Sequence, residues 1–354
     1  MPNNSTATMT IAGREILPGQ RVRYEIPVAQ LFDYTKINIP IEVIRGKQPG
    51  PCLFISGAIH GDEINGPEII KRLMEKKKLL KSIAGTLILL PIVNVFGYNQ
   101  NKRYLPDRRD LNRCFPGSEK GPLGSQIAHI FMREVVAKAT HGIDLHTGAI
   151  HRTNLPQIRA YLDDNATKTL AESFGVPVVI NSHLRDGSLR QAAADLGLPM
   201  LLFEGGEALR FDEAVIRSAL NGIRNVMRAI GMASEERTPG LTEKLKKVWR
   251  KPAKQVFIAR SSHWIRAPHS GSLRQKSKLG TMVQKDQVLG TISDPFGDRK
   301  IEIEAKKTGI IIGMTTMPLV NSGDALFHIA TFDDTESVEE QLGYFEDLIA
   351  NDLY

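Results

Sequence analysis

The chain has 354 residues, which at roughly 150 residues per domain accommodates about two domains and a sizeable core. Its composition, 42% hydrophobic, 24% charged and 6% aromatic, excludes the disordered, collagen-like and disulfide-stapled classes. The formal charge of +7 invites a nucleic-acid or anionic-partner reading, but it is unevenly placed. Residues 237–307 carry seventeen basic and six acidic side chains, and residues 333–354 carry eight acidic and no basic ones.

Met1 to Gln20 is polar, and no run in the chain approaches the ~18 apolar residues of a membrane span. A cytoplasmic protein without a membrane partner is expected. Cys52 and Cys114 lie far apart with no CxxC spacing, so they read as reduced structural thiols. From about residue 50 to 232, short apolar runs alternate with amphipathic stretches, the pattern of a mainly parallel or mixed sheet flanked by helices. Buried strands are expected at 51–57, 86–93, 142–146 and 200–204, each a short apolar run bounded by turn residues. Core-facing helical stripes fall at Ile69, Ile70, Leu73 and Met74, at Ile127, Ile130, Phe131 and Val135, and at Val215, Leu220, Ile223 and Met227.

Residues 234–254 become charged around Pro239-Gly240 and read as a domain connection or solvated helix. A smaller all-β module is then expected over 255–332, where glycines punctuate short alternating runs. Val338, Leu342, Phe345 and Leu348 suggest a closing acidic helix over 333–354. The expected organisation is therefore a catalytic domain over 1–240, with 1–40 peripheral, followed by the β module and the helix.

The sharpest local feature is Gly57-Ala58-Ile59-His60-Gly61-Asp62-Glu63, where an apolar strand gives way to a helix. Across that turn His60 and Glu63 can aim an imidazole nitrogen and a carboxylate at one centre, as two zinc ligands must. The bland alternative has His60 satisfying the turn and Glu63 capping the helix. A second strand ends in Asp144-Leu145-His146, bringing a third ligand to the same sheet edge, where sites of parallel sheets gather. Two histidines and a glutamate leave a zinc position open for water, which favours catalysis over a structural site. Asp144 shares a face with His146 and either orients a neighbour or serves as an ordinary hydrogen-bond acceptor. Glu204, at the end of a third strand, suits general acid/base work, whereas Glu207 reads as a solvent-exposed acid. The segment 103–113 is rich in arginine, whose forks match carboxylates and oxyanions, or it is a solvated basic loop.

Together, Gly57-x-x-His60-Gly61-Asp62-Glu63, Asp110-Leu111-Asn112-Arg113, Asp144-Leu145-His146 and Glu204-Gly205-Gly206 resemble the succinylglutamate desuccinylase/aspartoacylase family of zinc carboxypeptidase-like hydrolases. The resemblance covers roughly residues 40–332. It implies one zinc ion held by His60, Glu63 and His146, with Glu204 as the catalytic acid/base. It implies that Arg103 polarises the scissile carbonyl and that Asn112 and Arg113 grip the substrate carboxylate. The segment between Arg103 and Asn112 is longer than in aspartoacylase, so Arg108 and Arg109 are substitutes for Arg103. The β module is similar to biotinyl/lipoyl carrier domains, but Lys306 and Lys307 lack methionine neighbours, and a structural or gating role over the cleft is preferred.

The implied activity is that of a zinc-dependent amidohydrolase removing an acyl group from an N-acylated amino acid. A metallocarboxypeptidase acting on short peptides would use the same residues. A nucleic-acid or anionic-surface binder working through 237–307 is the third reading, but no RNA- or DNA-binding signature accompanies that stretch and stacking aromatics are few. The expected partner is thus a small molecule and no nucleic acid, with homo-oligomerisation left open. The expected cleft, of two histidines, two glutamates and a few arginines, is not where the basic excess lies.

Overall fold

The apolar runs form strands, and their alternation decides which face each side chain enters. The computed structural model describes residues 8–176, 178–234, 257–259, 261–333 and 343. The connection expected over 234–254 and the acidic helix expected over 333–354 lie almost wholly outside the described residues. A small hairpin, β1 (Met9–Ile11) and β2 (Arg14–Ile16), precedes a long one, β3 (Arg21–Gln30) and β4 (Lys36–Arg45). There follow β5 (Gln48–Gly57), α1 (Asn65–Met74), α2 (Lys77–Lys81), β6 (Ala84–Leu90), α3 (Val95–Asn99), a 3-10 turn at Leu111–Arg113 and α4 (Leu123–Glu134). Next come β7 (His141–Gly148), β8 (Arg152–Ala160), α5 (Asn165–Phe174), β9 (Val178–Asn181), α6 (Leu189–Asp195), β10 (Met200–Glu207) and α7 (Glu213–Ala229). The C-terminal part is all-β: β11 (Phe257–Ala259), β12 (Ser261–Arg266), β13 (Gly271–Gln275), β14 (Met282–Val283), β15 (Val288–Ser293), β16 (Lys300–Glu304), β17 (Gly309–Thr315), β18 (Leu319–Val320) and β19 (Ala325–Thr331).

The large sheet runs in the order β12-β19-β17-β8-β10-β7-β5-β6-β4-β3. Its centre, β6-β5-β7-β10, is parallel. β8 lies antiparallel to β10, and β17 lies antiparallel to β8. Strands of the C-terminal module therefore continue the sheet that carries the central strands, while β13, β15, β16 and β18 form a separate four-stranded sheet. The hairpin β3-β4 pairs with β6 and forms the opposite edge, so residues 21–45 are part of the main sheet.

Alternation along the buried strands feeds two cores. Leu53, Ile55, Leu87 and Leu89 pack with α1, α2, α5 and α7 on one face. Cys52, Phe54, Ile88 and Leu90 pack with α4, α6 and residues of α3 on the other. Toward the carboxyl ends of β5, β7 and β10 that second face changes from Phe54 and Met200 to Ser56, Asp144, His146 and Glu204. The register pairs Ser56 with Asp144, Leu202 with Asp144 and Glu204 with His146, so the polar side chains form one patch at the end of an apolar floor.

Candidate active site

The turn between β5 and α1 carries His60 and Glu63, and it is closed by a hydrogen bond from the Glu63 amide to the His60 carbonyl. Glu63, His60 and His146 are buried and offer ligand atoms all within 4.8 Å of one another. His60 Nδ1 lies 2.8 Å from Glu63 Oε1, His146 Nδ1 lies 2.7 Å from Glu63 Oε2, and the two Nδ1 atoms are 3.2 Å apart. Each imidazole turns its other nitrogen to a carboxylate: His60 Nε2 is 2.9 Å from Asp110 Oδ1, and His146 Nε2 is 2.6 Å from Asp144 Oδ2. Asp144 in turn accepts from Ser56 Oγ at 2.7 Å, and Glu63 Oε2 accepts from the Thr147 amide at 3.0 Å.

This donor set fits zinc. Two histidines and a glutamate converge through the nitrogens that face each other, and carboxylates fix the tautomer from behind, the outer arrangement usual for metal-ligating histidines. Electrostatics agree. Burial alone would lower the pKa of His146, but the Asp144 and Glu63 carboxylates outweigh it and hold it well above the ordinary value. His60 is raised likewise, burial being outweighed by Glu63 and Asp110. Burial would raise Glu63, yet the two imidazoles hold it well below the carboxylate range. Surroundings that favour a proton on both rings equally favour a cation between them.

Asp144→Asn keeps the volume but removes the charge behind His146. The expected result is a 10- to 100-fold weaker affinity for zinc, measured by competition with a chromogenic chelator. Unchanged affinity would show that Asp144 is an ordinary strand acceptor.

The other expected residues surround this cluster. Arg103 is anchored through its carbonyl, which accepts from Asn94 Nδ2 at 3.2 Å. Its guanidinium donates to Glu63 Oε1 at 3.0 Å and to Asp110 Oδ2 at 3.2 Å. Arg108 and Arg109 are exposed and, unlike Arg103, do not line the cleft. Asn112 is buried and its Oδ1 accepts from the Leu189 amide at the start of α6, at 2.9 Å. Arg113 donates to the Asn112 carbonyl and lines the cleft. Glu204 accepts at Oε2 from Asn154 Nδ2 at 3.0 Å and from Arg159 Nε at 2.9 Å. Glu207 lies outside the cleft lining and accepts from the His151 amide at 2.9 Å.

These side chains border one cleft of about 560 Å³, whose wall includes Trp264 from β12 of the C-terminal module. Among the described residues, six arginines line it, namely Arg103, Arg113, Arg152, Arg159, Arg185 and Arg190, more than the few expected. Asp110, Asn154, Arg159, Arg190 and Trp264 had no assigned role in the sequence reading. For Asp110 the signal was present, since it opens the Asp110-Leu111-Asn112-Arg113 run.

A mixed sheet with a ligand-type cluster at the carboxyl ends of its parallel strands and a polar cleft above them defines an α/β protein of the kind whose sites sit at strand ends. Residues 49–230 match the sequence model of the succinylglutamate desuccinylase/aspartoacylase catalytic domain, and the chain belongs to that family. It is similar to the N-alpha-acetyl-L-2,4-diaminobutyric acid deacetylase of Halomonas elongata, 24% identical over 83% of this chain and 86% of that one. It is also similar to the succinylglutamate desuccinylase of Pseudomonas aeruginosa, 27% identical over 43% of this chain and 47% of that one. Among solved structures, a succinylglutamate desuccinylase from Silicibacter shares the fold with a TM-score of 0.77, at 22% identity over 94% of this chain and all of that one.

Proposed function

We propose that the chain is a zinc-dependent amidohydrolase that removes the acyl group from small N-acylated amino acids in the cytoplasm. Its family places it among hydrolases of linear amide bonds. The observation that carries the finer reading is the convergence of His60, Glu63 and His146 beside a cleft that also holds Glu204. Free thiols at Cys52 and Cys114 fit a reducing compartment. Among the described residues, no helix is long and apolar enough to cross a membrane.

His60, Glu63 and His146 would hold the metal. Zinc bound there supplies a Lewis acid for the scissile carbonyl and brings the pKa of a water toward about 7. Glu204 takes a proton from the attacking water and passes it to the departing amine. Both contacts of its carboxylate fall on Oε2, which leaves Oε1 for that traffic. Arg103, fixed at two points, faces the developing oxyanion. Asn112 and Arg113 hold the amino-acid carboxylate, with Asn112 locked in place by α6. The module wall at Trp264 bounds the cleft, which suits a small substrate better than an extended peptide.

The test is a hydrolysis screen of N-acyl amino acids alongside short peptides, with zinc-loaded and chelated protein. Acyl release that stops on chelation and returns with zinc is expected. Faster cleavage of the peptides would make the chain a carboxypeptidase, and turnover indifferent to chelation would remove the metal from the reaction.

A further inference from the structure

Glu204 is held by donors from β8. Arg159 Nε and Asn154 Nδ2 both reach its Oε2, at 2.9 and 3.0 Å. In the ladder between β8 and β10, Gln157 pairs with Glu204 and Asn154 with Gly206, a step of three residues on β8 against two on β10. That bulge turns Asn154 to the face that Glu204 occupies. On its other side Asn154 pairs with Gly313 of β17, a strand of the C-terminal module.

Gly313 is buried and its φ lies outside the left-handed region, so its backbone conformation does not require glycine. Space does. A Cβ at position 313 would fall 2.6 Å from Asn154 Oδ1 and 3.3 Å from His328 Cβ. Of these neighbours His328, which pairs with Gly313 across β17 and β19, is fixed. It is buried, and its ring stacks on Trp264 with centroids 4.6 Å apart and an interplanar angle of 10°. The Asn154 amide ends a short side chain and is the group that would yield to a methyl. Its Oδ1 and Nδ2 belong to one planar group, so pushing the first draws the second away from Glu204.

We propose that Asn154 and Gly313 are positioning residues for Glu204, through which the pairing of the C-terminal module with β8 sets the carboxylate in the cleft. The proposal rests on the reading of Glu204 as the acid/base. Neither residue acts on substrate itself. Arg159 supplies the opposite charge, and Asn154 adds a second donor on the same oxygen, which restrains rotation of the carboxylate and leaves Oε1 for proton transfer. A displacement of about 1 Å at such a group costs up to about a hundredfold in rate. The module is thus more than a wall of the cleft, because one of its buried glycines leaves the room that the Asn154 contact needs.

The experiment is a double-mutant cycle on the zinc-loaded protein with an N-acyl amino acid that the wild type hydrolyses. Asn154→Ala is expected to lower kcat about 10- to 100-fold, the worth of a hydrogen bond to a charged group, with KM and zinc content little changed. Gly313→Ala is expected to lower kcat to a similar extent. In the double variant the methyl enters space that the Asn154 amide has left, so kcat should stay within about twofold of Asn154→Ala. A double variant whose loss is the product of the two single losses, a wild-type kcat in either single variant, or a change confined to KM overturns the proposal. If Gly313→Ala alone does not fold, the double variant decides: folding with the kcat of Asn154→Ala supports the link, and failure to fold overturns it. If the wild type cleaves no N-acyl amino acid, the deacylase reading fails separately, and crystal structures of wild type and Gly313→Ala decide the positioning. Loss of the contact between Asn154 and Glu204 in the variant supports it, and a retained contact overturns it.

Discussion

Glu204→Gln is expected to lower kcat on an N-acyl amino acid by about 10²- to 10⁴-fold, the usual contribution of a positioned general acid/base. The substitution preserves volume, and the Gln carbonyl can still accept from Asn154 and Arg159, which both contact one carboxylate oxygen of Glu204. What is lost is the capacity to take a proton and return it. Glu204 is not among the three clustered ligand-type residues, so zinc content should remain one per chain. A loss confined to kcat, with KM little changed, marks an interaction made in the transition state. A folded, zinc-loaded variant that keeps wild-type turnover would place the proton transfer on another group.

The candidate site was legible wherever a buried parallel strand ran straight into it. β5, β7 and β10 are short apolar runs, and each delivers its polar residue at its carboxyl end, so His60 with Glu63, His146 and Glu204 could be placed at one rim from the sequence alone. The structure brings His60, Glu63 and His146 together as that argument anticipates. Legibility failed where position depends on a partner distant in sequence. Arg159 and Asn154 reach Glu204 because β8 inserts antiparallel beside β10, a reversal that nothing in the local pattern specifies. Trp264 reaches the cleft because β17 pairs with β8 and β19 links it to β12.

The long N-terminal hairpin is a different case. Residues 1–40 read as peripheral, yet Val22, Tyr24, Ile26 and Val28 alternate with polar residues or proline, and Ile37, Ile39, Ile41 and Val43 alternate likewise in the facing strand. That period-two signal is what a half-buried edge hairpin requires. The hairpin covers the outer side of β6 and contributes Ile26, Ile39, Ile41 and Val43 to the core beneath α4. The net charge also has a clearer meaning. The basic excess in the sequence of the C-terminal part is separate from the six arginines of the cleft, four of which are drawn from β8 and the segment around α6.

His146→Ala is expected to abolish zinc binding and activity together. The variant leaves two of three ligands, and it also removes the imidazole that separates the Glu63 and Asp144 carboxylates, which contact its two nitrogens at 2.7 and 2.6 Å. Zinc contributes several kcal/mol to the transition state of such a reaction, so activity should fall by at least about a thousandfold. The metal-free variant should be less stable as well, because removing one member of a buried charged network strands the others at a cost of about 3–5 kcal/mol. A thermal melt separates these effects. Wild-type protein should gain about 2.7 kcal/mol when zinc is added at 100 times its Kd, whereas His146→Ala should gain little at the same concentration. Asp144→Asn, which keeps all three ligands, should fall between them. An equal zinc-dependent gain in wild type and His146→Ala would mean that the ion binds elsewhere in the chain. Glu63 and the two histidines would then be a buried hydrogen-bonded network alone.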